Sequence, residues 1–592
     1  MEDQSSHLQE KVAPASNEDL LHKMRGKSSF SDVDLATEDE AYHVEPTEED
    51  WAELREVADI LPVSAYLVIL IEFCERFTFY GLSGPFQNYV QAPDPGHYPA
   101  DQPGALGKGQ QTATALNTFF QFWGYISPII GAIIADQYLG KYKTIVVFAC
   151  IYFVGLIILT LTSIPSSIQS GAAFPGFIVS IIIIGFGTGG IKSNVSPLVG
   201  EQYQSRTPYI KVLKTGERVI VTPQATYQRI FNMFYWGINI GSLSAIATTE
   251  LEKNVGFWAA YLLPTLMFIP GILIVVAGRK LYVQAPPRGS IFVEAGKLLM
   301  YSTKVKGGMK ACKPSQLRTT HPELIDKVTW DDIFVDEMIR TLKACVVFCW
   351  FPLYWLCYNQ MTSNLVSMAA TMQTGNVPND ILQNIDPIVL IFLIPIMDRL
   401  VYPGLRRIGI SPRPIARITI GFFFASVAMA YTAGIQSMVY NSPPYYNYPS
   451  EGDGPNYISA AYQIPSYVFI AISEVFASIT GYEYAYKKAP ESMKSLVMAL
   501  YLLANCFSSI LNFALVSVAV DPKIVWLFTG ISAAMGIATP IFYFCHRKRD
   551  LVDVEEDAIA RQGTVKKAYD YAEPVSETEL EAKYEAEMQH AA

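Results

Sequence analysis

The sequence predicts an all-α membrane protein with twelve transmembrane helices in two six-helix bundles. Three observations predict it. Of 592 residues, 51% are hydrophobic and only 17% are charged, against about 25% charged in a soluble domain; the mean hydropathy is +0.23 although both ends are polar. Twelve apolar segments lie near 61–89, 111–135, 144–163, 176–197, 224–248, 257–279, 341–369, 379–402, 413–437, 459–486, 492–519 and 523–545, each long enough for the ~20 residues that a membrane helix needs. A Lys/Arg-rich stretch divides them six and six, and each half carries a charged turn after its second segment, GAIIADQYLGKYK and PIMDRLVYPGLRR. Duplicated halves place a site at the midplane between them.

Residues 1–55 are acidic and poor in aromatics, as a disordered cytoplasmic tail would be, and 550–592 read the same way. Between them lie a first bundle at 56–280, a cytoplasmic linker at 281–340 and a second bundle at 341–549. An even number of spans puts both tails on one side. Lys141 and Lys143, then Arg206, Lys211, Lys214 and Arg218, the 279–340 run, Arg406 and Arg407, and Lys487 and Lys488 all follow even-numbered segments, so the positive-inside rule makes that side cytoplasmic. The polar N-terminus lacks the basic start and apolar core of a signal peptide, so the first membrane helix is expected to be internal. The net charge of −10 argues against a nucleic-acid partner. Eight scattered cysteines suggest neither a disulfide framework nor a zinc site. The spans hold no His/Asp metal cluster and no nucleophile–base arrangement, so neither a metal, an organic cofactor nor an enzyme is expected.

Charge inside a membrane span costs roughly 2.5–3.5 kcal/mol per group on insertion scales, so the few charges found there are informative. LVILIEFCERFTFYGL carries three: Glu72, Glu75 and Arg76. Glu72 and Arg76 are spaced i,i+4 and share a helical face with Tyr80. Two acids to one base suit proton exchange; a purely structural salt bridge is the plainer reading. Lys192 lies among glycines in GFGTGGIKSNV and either faces the interior or snorkels to the cytoplasmic surface. Glu474 lies inside YVFIAISEVFASIT, as a binding group or a helix–helix hydrogen bond. Asp386 in QNIDPIVL serves the site or caps a broken helix before Pro387. A cavity with Arg76 and Lys192 on one wall and Glu474 on the other complements a zwitterion. A short peptide is one, and Tyr80, Tyr125 and Asn239 offer hydrogen bonds between its charged ends.

At these residues a family resemblance appears. Glu72-x-x-Glu75-Arg76-Phe77-x-x-Tyr80-Gly81 resembles the ExxERFxYYG motif of the proton-dependent oligopeptide transporters, a branch of the major facilitator superfamily. GAIIADQYLGKYKTI (131–145) resembles that family's first signature, FNMFYWGINIGSL (231–243) its second, and GTGGIK (187–192) a fourth shared motif. Residues 336–367 are most similar to fungal di- and tripeptide permeases. The resemblance implies the major facilitator fold and proton coupling at Glu72, Glu75 and Arg76. It implies that Lys192 holds the peptide carboxylate and is linked to the proton cycle, that Tyr125 and Asn239 line the site, and that Glu474 receives the amino terminus. Asp136, Gly140 and Lys141 are implied to be a conformational latch.

The chain departs from the pattern in three places: Phe79 replaces the first tyrosine of the pair, Ser83 stands where many bacterial relatives have arginine, and Asn359 stands for a seventh-helix acid. Because Asp386 stands where relatives carry an eighth-helix amide, Asn359 and Asp386 read as an exchanged pair, with Asp386 answering Lys192. The expectation is a plasma-membrane symporter that imports di- and tripeptides with protons by alternating access, with the lipid bilayer as its surroundings. Its rivals are a nitrate or other anion carrier of the same family, which buried Glu474 would repel, and a non-transporting peptide sensor.

Overall fold

A computed structural model describes residues 46–205, 207–213, 216–284, 286–287, 289–305, 307–401, 404, 413–452, 454–488 and 493–547. The C-terminal tail, all but the last ten residues of the N-terminal tail, and the loop residues Arg206, Lys214, Arg406 and Arg407 lie outside them.

One small unit is built from residues 46–57 and 207–223. It corrects the expectation of disorder up to residue 55. Helix α1 (Glu48–Glu53) starts in a capping box in which the Thr47 side chain accepts from the Asp50 N–H and the Asp50 side chain from the Thr47 N–H. Strand β1 (Glu56–Val57) pairs in parallel with β3 (Arg218–Val221), which pairs antiparallel with β2 (Tyr209–Val212). Arg55 meets Glu217 at 2.7 Å and Arg218 meets Asp50 at 3.1 Å; Arg55 holds the Glu217 carboxyl below its usual range. One acid of the run read as a disordered tail, Asp50, is thus matched to a base far along the chain, while Arg55 at its end meets a distant acid.

The second unit carries both bundles. The first half contains α2 (Val63–Ser83), α3 (Phe86–Gln91), α4 (Gly109–Ile134), α5 (Lys141–Thr162), α6 (Ala173–Glu201), α7 (Pro223–Ser242), α8 (Ser244–Asn254) and α9 (Phe257–Ala277). The linker contains α10 (Ile291–Lys304). Then follow α11 (Asp332–Cys345), α12 (Phe351–Asn359), α13 (Asn364–Ala370), α14 (Ile385–Ile396), α15 (Pro414–Tyr440), α16 (Ile464–Glu474), α17 (Thr480–Lys488), α18 (Lys494–Leu515) and α19 (Ile524–His546). Ten helical stretches among the described residues are long and apolar enough to cross a membrane. Helices α2, which carries three charges, and α7 occupy the places expected for the first and fifth spans.

Three boundaries differ from the sequence reading. The 61–89 segment breaks at Gly84–Pro85, where proline cannot donate the next helical bond. Helix α11 runs through the boundary drawn at 340, because its apolar face packs with Trp330, Leu298 and Met493 in a core of the linker. Asp386 is not a helix cap: the cap position of α14 is Asn384, and Asp386 lies inside the first turn.

Each half has its own core, around Phe86, Phe120, Phe148 and Tyr261 in the first and Phe351, Phe422, Tyr501 and Phe542 in the second. Leu273, Trp526 and Phe544 face outward, each more than 60% exposed, as a lipid-facing surface requires. The repeat seen in the sequence has a structural counterpart: both charged turns coil as π-helix, at Ala135–Leu139 and Met397–Val401. Hydrogen bonds joining the halves gather at the end remote from the basic loops. Gln87 donates to Ser367 at 2.9 Å, Asn117 to the Thr362 carbonyl at 2.8 Å, Gln121 to the Thr362 hydroxyl at 2.9 Å and Asn512 to Thr118 at 2.7 Å.

Candidate functional site

Arg76 lies mid-helix in α2 between two carboxylates. Its Nε is 3.0 Å from Glu72 Oε1 and its Nη2 is 2.5 Å from Glu75 Oε2. Glu72, Glu75 and Arg76 are 4, 1 and 4% exposed. The other Glu75 oxygen accepts from the Thr188 hydroxyl at 2.6 Å. Close helix packing makes this possible. A Cβ at Gly190 would stand 2.1 Å from the Phe148 ring, and one at Gly241 would stand 2.9 Å from Arg76 Cβ, so the glycines of the two motifs let α6 approach α5 and α7 approach α2. Arg76 also stacks over the Phe79 ring at 5.5 Å.

Lys192 faces the interior. Helix α6 continues to Glu201, beyond the end expected from sequence, and the ammonium lies 4.3 Å over the Tyr125 ring. It is within electrostatic reach of Glu72 and Glu75, so the acid that α2 leaves in excess is balanced from α6. The first-half cluster is therefore two acids and two bases.

The second half offers acid. The Asp386 and Glu474 carboxyls are in hydrogen-bonding contact, and the Tyr358 hydroxyl serves both, 3.4 Å from Asp386 Oδ2. Glu474 ends α16 where the chain enters a π-turn at Val475–Ile479, a device that re-aims side chains within a helix. Asp386 thus answers Glu474, and no ion pair joins it to Lys192 among the described residues. Asn359 donates to Asn505 at 2.8 Å and is 7% exposed: it ties α12 to α18 and is not drawn to Lys192 either. The expectation that Asp386 answers Lys192 is therefore not met in this structure, where its partners are Glu474 and Tyr358.

Tyrosines span the gap between the clusters. Tyr80, Tyr125 and Tyr235 lie within electrostatic reach of Glu474, and Tyr80 and Tyr125 within reach of Arg76 too. Asn239 hydrogen-bonds the Tyr235 side chain and donates to its carbonyl at 2.8 Å. The latch residues lie apart from this site: Asp136 sits in the π-turn, Gly140 takes φ +75°, and Lys141 pairs with Glu201. Thr188, Tyr235 and Tyr358 escaped the sequence reading. Each had a signal, since Thr188 is inside GTGGIK, Tyr235 is one turn before Asn239 and Tyr358 adjoins Asn359. No group of three or more potential metal ligands occurs among the described residues.

Balanced charge buried in one helical half, acid in the other and a polar seam between them define a multi-pass membrane transporter built of two bundles. The chain belongs to the POT family, whose model matches residues 142–547. It is 47% identical over 534 residues to a probable peptide transporter ptr2 of Schizosaccharomyces pombe, covering 89% of this chain and 85% of that one. It is 44% identical over 556 residues to the peptide transporter PTR2 of Saccharomyces cerevisiae, covering 92% and 90%. The fold is similar to that of the POT family transporter PepTSo, with a TM-score of 0.65 at 22% identity over 83% of this chain and 99% of that one. It is also similar to an autoinhibited POT family peptide transporter, with a TM-score of 0.63 at 23% identity over 82% and 97%.

Proposed function

We propose that the chain is a proton-coupled symporter that imports di- and tripeptides across the plasma membrane, with twelve spans, both termini in the cytoplasm and no cofactor beyond the coupling proton. The observation that carries this is the facing of Lys192 and Arg76 by the Asp386–Glu474 pair across Tyr80, Tyr125 and Tyr235. A peptide carboxylate goes to the cations, its ammonium to the acids, and the tyrosines and Asn239 serve the peptide bond. Relatives named as peptide transporters, at 44–47% identity across most of the chain, support the same substrate.

Proton coupling follows from the first-half cluster. When a peptide carboxylate takes up Lys192 and Arg76, Glu72 and Glu75 lose countercharge, and a proton on one of them restores the balance. A zwitterion gains nothing from membrane potential, so coupling matters. One proton moving through about 100 mV and one pH unit supplies roughly 3.7 kcal/mol, about 500-fold accumulation. The seam of hydrogen bonds remote from the basic loops is then a closed extracellular gate, and the bundles rock about the site. The acid pair disfavours an anion as substrate. Dipeptide uptake competed by unlabelled dipeptide but not by nitrate, in proteoliposomes of the purified chain, is the expected result; competition by nitrate alone would install the anion carrier instead, and binding without flux the sensor.

A further inference from the structure

Outward of the charged clusters the two halves meet at four buried polar side chains. Asn88 on α3 donates to Glu252 Oε1 and to Asn379 Oδ1, both at 2.8 Å, and Asn379 returns a bond to Asn88 Oδ1 at 2.9 Å. Glu252 near the end of α8 and Asp380 in the turn before α14 are both 0% exposed. Their carboxyls face each other in hydrogen-bonding contact. A carboxylate only accepts hydrogen bonds, whereas a protonated carboxyl also donates one. Apart from Asp380's own backbone N–H, no donor among the described residues reaches Asp380 Oδ1, Asp380 Oδ2 or Glu252 Oε2. The Tyr261 hydroxyl, fully buried and also without a partner, lies within electrostatic reach of both acids. The contact between the halves is short of hydrogens, and a single proton shared between the two carboxyls supplies one that they lack.

We propose that Glu252 and Asp380 form a proton-binding site that locks the extracellular gate. Closure takes one proton from the external medium and holds it between two carboxyls contributed by opposite halves; opening separates and hydrates the acids, and the proton returns to the medium. This is a gating proton, separate from any that Glu72 and Glu75 carry across the membrane. External acid thereby favours the closed outer gate, the transition that follows substrate loading. The proposal rests on the reading of the chain as an alternating-access carrier with its basic loops in the cytoplasm. The other charged or titratable groups facing the pair are Glu250 and Lys253 on α8, whose charges act on Asp380 in opposite senses, Tyr98 in the loop after α3, Tyr261 on α9 and Tyr467 on α16. Glu250 is the one further carboxyl among them; the others are a lysine and three tyrosines.

The test uses the full chain in lipid nanodiscs without peptide. Spin labels replace exposed His97 and Val377 across the outer gate, with exposed Cys150, Cys349 and Cys545 removed. One linked proton changes the closed-to-open ratio by up to about tenfold per pH unit. The pulsed-resonance distance distribution of the parent should therefore shift from closed to open as pH rises, more steeply by about one proton than that of Glu252→Gln/Asp380→Asn, whose amides supply the missing hydrogens themselves. Equal slopes would overturn the proposal. A second readout needs neither labels nor the double variant: each single substitution should remove a protonated-carboxyl stretch from the infrared difference spectrum, and retention of that band in both would overturn it. A carrier of some other solute would still give both signals, so failure of peptide uptake and failure of the gate proton are distinguishable.

Discussion

Arg76 is held by two carboxylates, and Glu75 alone among them also accepts from Thr188 in α6. Its protonation state therefore bears on two helices at once. Glu75→Gln is expected to lose gradient-driven accumulation yet to keep exchange of peptide between equal pools, because exchange needs binding and rocking but no net proton movement. Wild-type accumulation by the variant, measured with labelled dipeptide, would remove Glu75 from the coupling role. Glu474 tests the other pole. Removing one member of a desolvated charge pair costs about 2–5 kcal/mol, so Glu474→Ala should weaken dipeptide binding at least about thirtyfold. An N-acetylated dipeptide should bind the parent poorly and lose little more in the variant; equal losses for both ligands would assign Glu474 to folding. The charges themselves were legible in the sequence because an ionisable group in an apolar run is costly and conspicuous. Their partners were not: no spacing rule links Asp386 to Glu474, or Thr188 to Glu75, when the contact is made by packing between helices far apart in the chain.

Glycine is where helix packing is most exposed to test. A methyl at Gly190 would stand 2.1 Å from the Phe148 ring, whereas one at Gly434 in α15 would meet nothing within 4 Å. Gly190→Ala should lower the melting temperature and uptake together, since overpacking costs about 1–3 kcal/mol. Gly434→Ala should be neutral or slightly stabilising by helix propensity, up to about 1 kcal/mol, and a thermal melt of purified protein separates the two. At this scale hydropathy and periodicity placed the helices well, but not their breaks. The stop at Pro85 and the run of α11 through residue 340 depend on local donor loss and on a linker core. The strand pairing of 56–57 with 220–221 was invisible because it joins residues more than 160 positions apart. The charged turns were legible as repeats from their composition; that both coil as π-helix was not.

Across the whole molecule, each bundle packs about its own core and a polar seam joins the two, which is what the proposed rocking of two bodies requires. Apolar cores keep each half rigid, while hydrogen bonds such as Gln87–Ser367 and Asn117–Thr362 contribute only about 0.5–1.5 kcal/mol each and exchange readily with water when the gate opens. The two-bundle plan, the buried charges of its first half and the acid of its second were legible from the sequence; that Lys192 balances the first-half acids was not. The seam was not, since its Asn, Gln, Ser and Thr residues look like ordinary polar positions until the halves are brought together. The central claim is that peptide and proton move together, and the most direct measurement is the uptake of a labelled dipeptide into proteoliposomes with an imposed inward proton gradient. Accumulation above the external concentration that collapses to equilibration when a protonophore is added is the predicted result. Equilibration that is indifferent to the gradient, at the same reconstituted amount of protein, would contradict it.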